Sequence, residues 1–347
     1  DRTAEIALSK GARVLKTPKR GLGRAYIDAL PFVRWKYLIL GDCDCTYDFR
    51  EISPFVEKLR AGNEFVMGSR FRGYIEPGSM PPLHRYLGTP VTTWILNQIF
   101  SSHFSDIHCG MRAITKAAFV QMQLRSQSWE YASEMVLKSV RMQLRTTEVP
   151  IRFLKDRDGR LSHHRRSGWL SPWKAAWINL REMFVYGSDF FLFRPGVILL
   201  ALGASLVLPL SFGPITIGPI QFSLYSMLLG MSFVILGLQC VFLGILSKVF
   251  FDYTGEVTPR VLAFFSYTRT VVWSAGFFCL GAFLSSLLAV SYIRSGFKLW
   301  TVPVPSGYLA VTGLTLMMAS FMTFCFLLLL HGFQLAKGNV PPLKEAV

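Results

Sequence analysis

The chain has 347 residues, 51% hydrophobic and 17% charged, with 37 Lys and Arg against 21 Asp and Glu, a formal charge of +16. The 29 Phe and 8 Trp exclude a disordered chain, and six Cys over this length exclude a small disulfide-stapled domain. A chain both greasy and basic is not a plain nucleic-acid binder, and no nucleic-acid partner is expected.

In chain order, residues 13–16, 37–40 and 64–67 read as strands, and 23–30 and 53–61 as helices. The second helix has Pro54 in its first turn and Gly62 just past its end. Strands alternating with helices predict an α/β domain with a mostly parallel, Rossmann-like sheet. Ligands of such sheets sit beyond the carboxyl ends of the strands. Gly41-Asp42-Cys43-Asp44 stands at that point. Carboxylates at i and i+2 leave a strand on one side, and Mg2+ or Mn2+ takes one or two of them with substrate phosphates and water. A solvated turn is the plainer reading of the same residues. Cys43 and Cys45 have no zinc spacing and read as small buried residues. The segment 16–23 brings basic groups and permissive backbone together, as a phosphate site or as an ordinary basic turn.

Residues 87–100 form an apolar helical stretch suited to lying against a membrane. From Arg152 to Arg166 there are six Lys or Arg and two His against Asp156 and Asp158. This is either a solvated loop held near anionic lipid or a lid over phosphates. Trp169, Trp173 and Trp177 recur every four residues on a helix ending near Tyr186, read as interfacial, with core packing as its rival. Residues 195–247 then hold no Asp, Glu, Lys or Arg, and charge-free runs return at 270–293 and 299–336. A span needs about 20 apolar residues, which predicts four: 196–212, 222–247, 271–293 and 308–332. Lys248, Arg260 and Arg269, with Lys337 and Lys344 of the tail, put the N-terminal domain on the cytoplasmic side of the membrane it is built into. The domains expected are 1–168, an interfacial helix and linker 169–194, a membrane region 195–336 and a cytoplasmic tail 337–347.

Six strings, in order, resemble family 2 glycosyltransferases. They are Lys19-Arg20-Gly21-Leu22-Gly23-Arg24-Ala25, Gly-Asp-Cys-Asp-Cys-Thr-Tyr-Asp-Phe at 41–49, and Met-Gly-Ser-Arg-Phe at 67–71. Pro-Gly-Ser-Met-Pro at 77–81 with His84-Arg85, Ser-Asp-Ile-His-Cys-Gly-Met-Arg-Ala at 105–113, and Glu130, Glu134 and Glu-Val-Pro-Ile at 148–151 complete the set. The likeness is to polyprenyl-phosphate sugar synthases, such as dolichyl-phosphate mannose or glucose synthases. It implies a GT-A fold, a UDP- or GDP-linked sugar donor, a divalent metal, and an undecaprenyl or dolichyl phosphate acceptor. By that likeness Asp42, Asp44 and Thr46 would hold the metal, and Lys19, Gly21, Gly23, Arg157, Arg160 and His163 the donor diphosphate. Arg70 and Arg85 would face the acceptor phosphate, whose oxygens suit arginine's planar fork. Asp106 and Arg112 would be catalytic, or a structural brace for one another.

The reaction implied is direct, inverting displacement at the anomeric carbon by a phosphate oxygen, with a homo-oligomer left open. Two rivals remain. A processive polysaccharide synthase would carry a Gln-x-x-Arg-Trp motif near the membrane, and this chain has none. A non-catalytic membrane protein with a degenerate transferase domain is the other. In the family, a first strand with a Pro-x-Tyr-Asn-Glu-like motif precedes Asp-Arg-Thr (1–3) and supplies the base pocket. That strand is expected either upstream of Asp1 or lost.

Overall fold

The computed structural model describes residues 2–17, 21–42, 44–127, 130–155, 171–298 and 304–338. The chain divides into two compact units, Asp1–Tyr186 and Gly187–Val347.

The first unit opens with α1 (Thr3–Ser9), which buries no side chain, and α2 (Leu22–Ala29). Then come β1 (Tyr37–Leu40), α3 (Ser53–Arg60), β2 (Phe65–Ile75) and α4 (Thr89–Phe100). After these lie β3 (Arg112–Thr115), α5 (Lys116–Met122), α6 (Glu130–Arg141), β4 (Thr146–Phe153) and α7 (Ser171–Tyr186). The strand expected at 13–16 is coil, and most of it is exposed. No described strand runs beside it, and an apolar run without a neighbour has nowhere to place its backbone hydrogen bonds.

The sheet runs β1-β3-β2-β4. β1, β2 and β4 point one way, and β3 lies between β1 and β2 pointing the other. The sheet is therefore mixed, where alternation of strands and helices had predicted it mostly parallel. The four residues Arg112–Thr115 give no periodic signal of their own, so their insertion is invisible in the pattern. Register sets Leu40, Arg112, Met67 and Glu148 in one row across the sheet. The carboxyl end of β1, Gly68 of β2 and the turn leading into β3 meet just beyond it, where the Gly68 N–H bonds the Met111 carbonyl at 2.9 Å.

Phe55 and Leu59 of α3, Phe65, Val66 and Met67 of β2, and Met111, Ala113 and Ile114 around β3 make the core beneath that row. Each large side chain so buried stabilises the fold by about 1.5–3 kcal/mol. On the other side α7 packs against α6 and α4. Its Met183 is fully buried while Trp177 is 60% exposed. Arg141 of α6 donates to the Tyr186 carbonyl and lies over the Phe100 ring.

Among the described residues of the second unit, four helices are long and apolar enough to cross a membrane. They are α8 (Ser188–Leu210), α9 (Leu224–Phe250), α11 (Tyr267–Arg294) and α12 (Val304–Gly338). Gly187 separates α7 from α8, and Pro195 sits inside α8. A two-strand hairpin, β5 (Ile215–Ile217) with β6 (Ile220–Phe222), turns at Gly218, and α10 (Val257–Phe264) lies between α9 and α11. Gly196 and Gly203 of α8 face Gly237 and Gly230 of α9 so closely that a methyl at Gly196 would come 2.8 Å from the Cys240 Cβ. Gly281 and Gly313 bring α11 and α12 together in the same manner. Small residues of this kind allow the backbone contact that holds helices together in lipid, where hydrophobic burial gives no drive.

Candidate active site

The site is assembled where β1 ends. Beyond the Leu40–Arg112 pair, Asp42 lies against Gly110, where an added methyl would sit 2.7 Å from the Asp42 Oδ2. Gly110 N–H donates to the Tyr47 hydroxyl at 2.8 Å, and the Tyr47 side chain is buried. Burial, the largest influence, pushes the Tyr47 phenol up, so it stays protonated. Asp44 closes a small turn: its Oδ1 accepts the Thr46 N–H at 3.1 Å and the Thr46 hydroxyl at 2.5 Å. Between them Cys45 has φ +67° and is exposed. It was expected to be buried, but the left-handed conformation turns it outward.

Two carboxylates in this turn, i and i+2, present hard oxygen donors. Among the described residues no third His, Cys, Asp or Glu joins them. That donor set suits a small divalent cation that completes its shell with phosphate oxygens and water.

Arg70 and Asp106 form the second part. Arg70 Nε donates to Asp106 Oδ2 at 2.6 Å, Nη2 to Oδ1 at 2.8 Å, and the Arg70 N–H to Oδ2 at 3.1 Å. Both residues are buried. Burial pushes the Asp106 carboxyl up, but the charge and hydrogen bonds of Arg70 outweigh it and hold the carboxyl below its ordinary value. Glu148 supports the loop that carries Asp106: its Oε1 takes the Ser105 N–H at 2.7 Å, and its Oε2 pairs with Arg72 at 3.2 Å. Tyr47 is near enough to feel both Arg70 and Asp106, and so joins the two parts.

Asp106 is thus braced by Arg70, where the sequence had suggested Arg112. Arg112 instead donates to the carbonyls of Cys109, Ile107 and Ala132 at 2.8, 3.3 and 2.5 Å. Its place in the sheet row turns the guanidinium back into the 107–109 turn and the start of α6. Arg70, expected to face an acceptor phosphate, spends its fork on Asp106. Arg85 differs. It sits in a π-helical turn, His84–Gly88, with its guanidinium over the Tyr86 ring, and no described carboxylate pairs with it. Around it Leu83, Tyr86, Leu87, Val91 and Trp94 are all exposed along one helical face.

Gly21 and Gly23 pack under the Gln127 and Ser126 carbonyls, and the Arg24 N–H bonds Gln127 O at 3.1 Å. Lys19, Arg157, Arg160 and His163 lie outside the described residues, as do Cys43 and Trp169. Tyr47 and His108 lie within the quoted strings, but sequence reasoning gave neither a role. Tyr47 stands only three residues after Asp44, and the Thr92 hydroxyl contacts His108 Nε2 at 2.9 Å.

Comparison with known proteins then decides the family. The profile described as Glycosyl transferase family 2 matches residues 1–122. The Low-salt glycan biosynthesis hexosyltransferase Agl6 of Haloferax volcanii is 32% identical over 336 residues, 93% of this chain and 78% of that protein. The chain belongs to glycosyltransferase family 2. Two further relatives from the same organism match a shorter stretch. Glycosyltransferase AglJ is 30% identical over 46% of this chain and 52% of its own length. A Dolichyl-phosphate hexose transferase is 26% identical over 44% of this chain and 64% of its own length. This glycosyltransferase accordingly joins the expected GT-A catalytic domain to a helical region with four candidate spans.

Proposed function

We propose that this transferase moves a sugar from a UDP- or GDP-linked donor to a polyprenyl phosphate at the cytoplasmic surface of its membrane, with inversion at the anomeric carbon. The observation that carries the reading is the state of Asp106. Both its oxygens are taken by Arg70, whose charge lowers the carboxylate's affinity for a proton, so it is a poor general base. An acceptor that is already an anion asks for none, and a phosphate monoester is such an acceptor. The similarity to a Dolichyl-phosphate hexose transferase supports the same acceptor class.

Asp42 and Asp44 would hold Mg2+ or Mn2+, which supplies charge neutralisation for the departing diphosphate. Thr46 orients Asp44 through its hydroxyl. Lys19, Gly21 and Gly23, with Arg157, Arg160 and His163, remain the proposed donor-diphosphate group. Arg85 is the proposed acceptor-phosphate residue, since its fork is uncommitted among the described residues. Arg70 acts one step back, fixing Asp106 and the 105–110 turn against Asp42. The exposed face from Leu83 to Trp94 and the exposed Trp177 fit contact with membrane lipid.

Purified full-length protein in lipid nanodiscs, given labelled UDP- and GDP-sugars and polyprenyl phosphate, should form a lipid-linked sugar only with Mg2+ or Mn2+. Asp44→Ala should lower the rate by about 10²–10³. Undiminished turnover in that variant, or label that never enters lipid, would overturn the reading.

A further inference from the structure

One fully buried carboxylate stands apart from the site. Glu134 of α6 accepts the N–H groups of Arg125 at 3.0 Å and Ser126 at 2.8 Å, the Tyr186 hydroxyl at 3.2 Å and the Lys138 ammonium at 2.7 Å. Lys138 balances its charge and reaches on to the Gln123 carbonyl at 2.9 Å. The 123–127 segment has no regular structure, so these bonds are its chief anchors. Burial works against the ionised form, but Lys138 and the N–H groups prevail and hold the carboxyl below its ordinary value.

The other face of the same segment touches the glycine turn. A Cβ added at Gly23 would run into the Ser126 carbonyl, and one at Gly21 into that of Gln127. The Arg24 N–H is bonded to Gln127 O, and Gly21 has φ +148°, a conformation few other residues adopt. Glu134 thus holds the N–H side of a short loop whose carbonyl side sets the position of Gly21–Arg24.

We propose that Glu134 is a positioning residue for the donor: it clamps residues 125–127 against the Gly21–Gly23 turn, and so sets affinity for a nucleoside diphosphate it does not touch. This rests on the reading of that turn as part of the diphosphate site. Backbone that recognises phosphate must be held to a fraction of an ångström, and a glycine turn, free to adopt many conformations, does not hold itself.

The test uses the full chain in nanodiscs. Glu134→Leu combined with Lys138→Met removes the acceptor oxygens of the clamp while leaving no lone buried charge. Tyr186→Phe removes one bond to the same carboxylate and keeps the ion pair. Hydrogen exchange across residues 21–30, calorimetric binding of UDP and GDP with Mn2+, and steady-state kinetics are measured on each. The double variant should exchange about tenfold faster over 21–30 and bind the diphosphate about tenfold more weakly. Its kcat and acceptor KM should stay within about twofold. Tyr186→Phe should move exchange and affinity the same way by a smaller factor. Two results overturn the proposal, and they are distinguishable. Unchanged exchange over 21–30 removes the clamp itself. Faster exchange with unchanged diphosphate affinity removes the donor role of the turn. Should the double variant fail to fold, Tyr186→Phe decides by the same two readouts.

Discussion

The two units of the chain solve packing by opposite means. The first buries charge: Arg70 with Asp106, Glu134 with Lys138, and Arg112 among carbonyls. The second removes side chains: Gly196, Gly203, Gly230 and Gly237 between α8 and α9, and Gly281 with Gly313 between α11 and α12. In water, apolar burial already drives collapse, and a buried ion pair is free to specify which loop lies against which strand. In lipid, apolar surface gains nothing by leaving its surroundings, so stability comes from how nearly two backbones approach. The first unit is therefore fragile to loss of one atom group and the second to gain of one.

The largest effect should come from breaking a charge pair. Asp106→Ala leaves the Arg70 guanidinium buried without its partner, which costs about 3–5 kcal/mol. Arg70→Met with Asp106→Leu removes both charges and should recover most of that stability, yet not turnover. Thermal midpoints and product formation on the two variants check this. A single variant as stable as the wild type would contradict the buried pair.

The matching experiment in the second unit adds atoms. The Gly237 hydrogen already faces the Leu200 backbone, with its own Cβ position 2.8 Å from Gly196 O. Gly237→Leu should push α8 from α9 and cost about 1–3 kcal/mol by overpacking. Accessibility of Cys240, which lies beside Gly196, should rise toward membrane-permeant maleimide. Labelling that stays at the wild-type level would show that the seam tolerates the added bulk.

How far each unit could be read in advance follows from the same contrast. Spans are continuous apolar runs, and the uninterrupted stretch from 195 to 247 gave two of the four by length alone. Helices 22–29 and 53–60 were legible from period and from Pro54 and Gly62. β3 was not, because four residues between two longer strands carry no period, and its insertion changes the sheet from parallel to mixed. The Asp42 turn was legible as a place, directly after β1. Which arginine would hold Asp106 was not, since that depends on the row Leu40–Arg112–Met67–Glu148, a property of register between distant segments. Tyr47 was missed for the same reason, since the Gly110 N–H that meets its hydroxyl is 63 residues away.

A smaller effect in the first unit depends on pH. Burial holds the His108 imidazole down at about 4, with Asp106, Arg70, Arg112 and His84 as its charged and titratable neighbours. An unfolded chain takes up that proton near pH 6.5. Between pH 6.5 and 4 the unfolded state therefore binds more protons than the folded one, and stability must fall as pH falls through this window. A shift of this size corresponds to about 3 kcal/mol at most. Asp106 and Glu134 have depressed values, so their contributions are present above the ordinary carboxylate range and are lost only at lower pH. His108→Asn keeps a polar group near Thr92 and removes the titration. The difference in thermal midpoint between wild type and this variant should narrow from pH 7 to pH 4.5, as the histidine's advantage disappears. A gap that widens on acidification would mean that His108 gains a proton more readily when folded, and its place beside the Arg70–Asp106 pair would have to be redrawn.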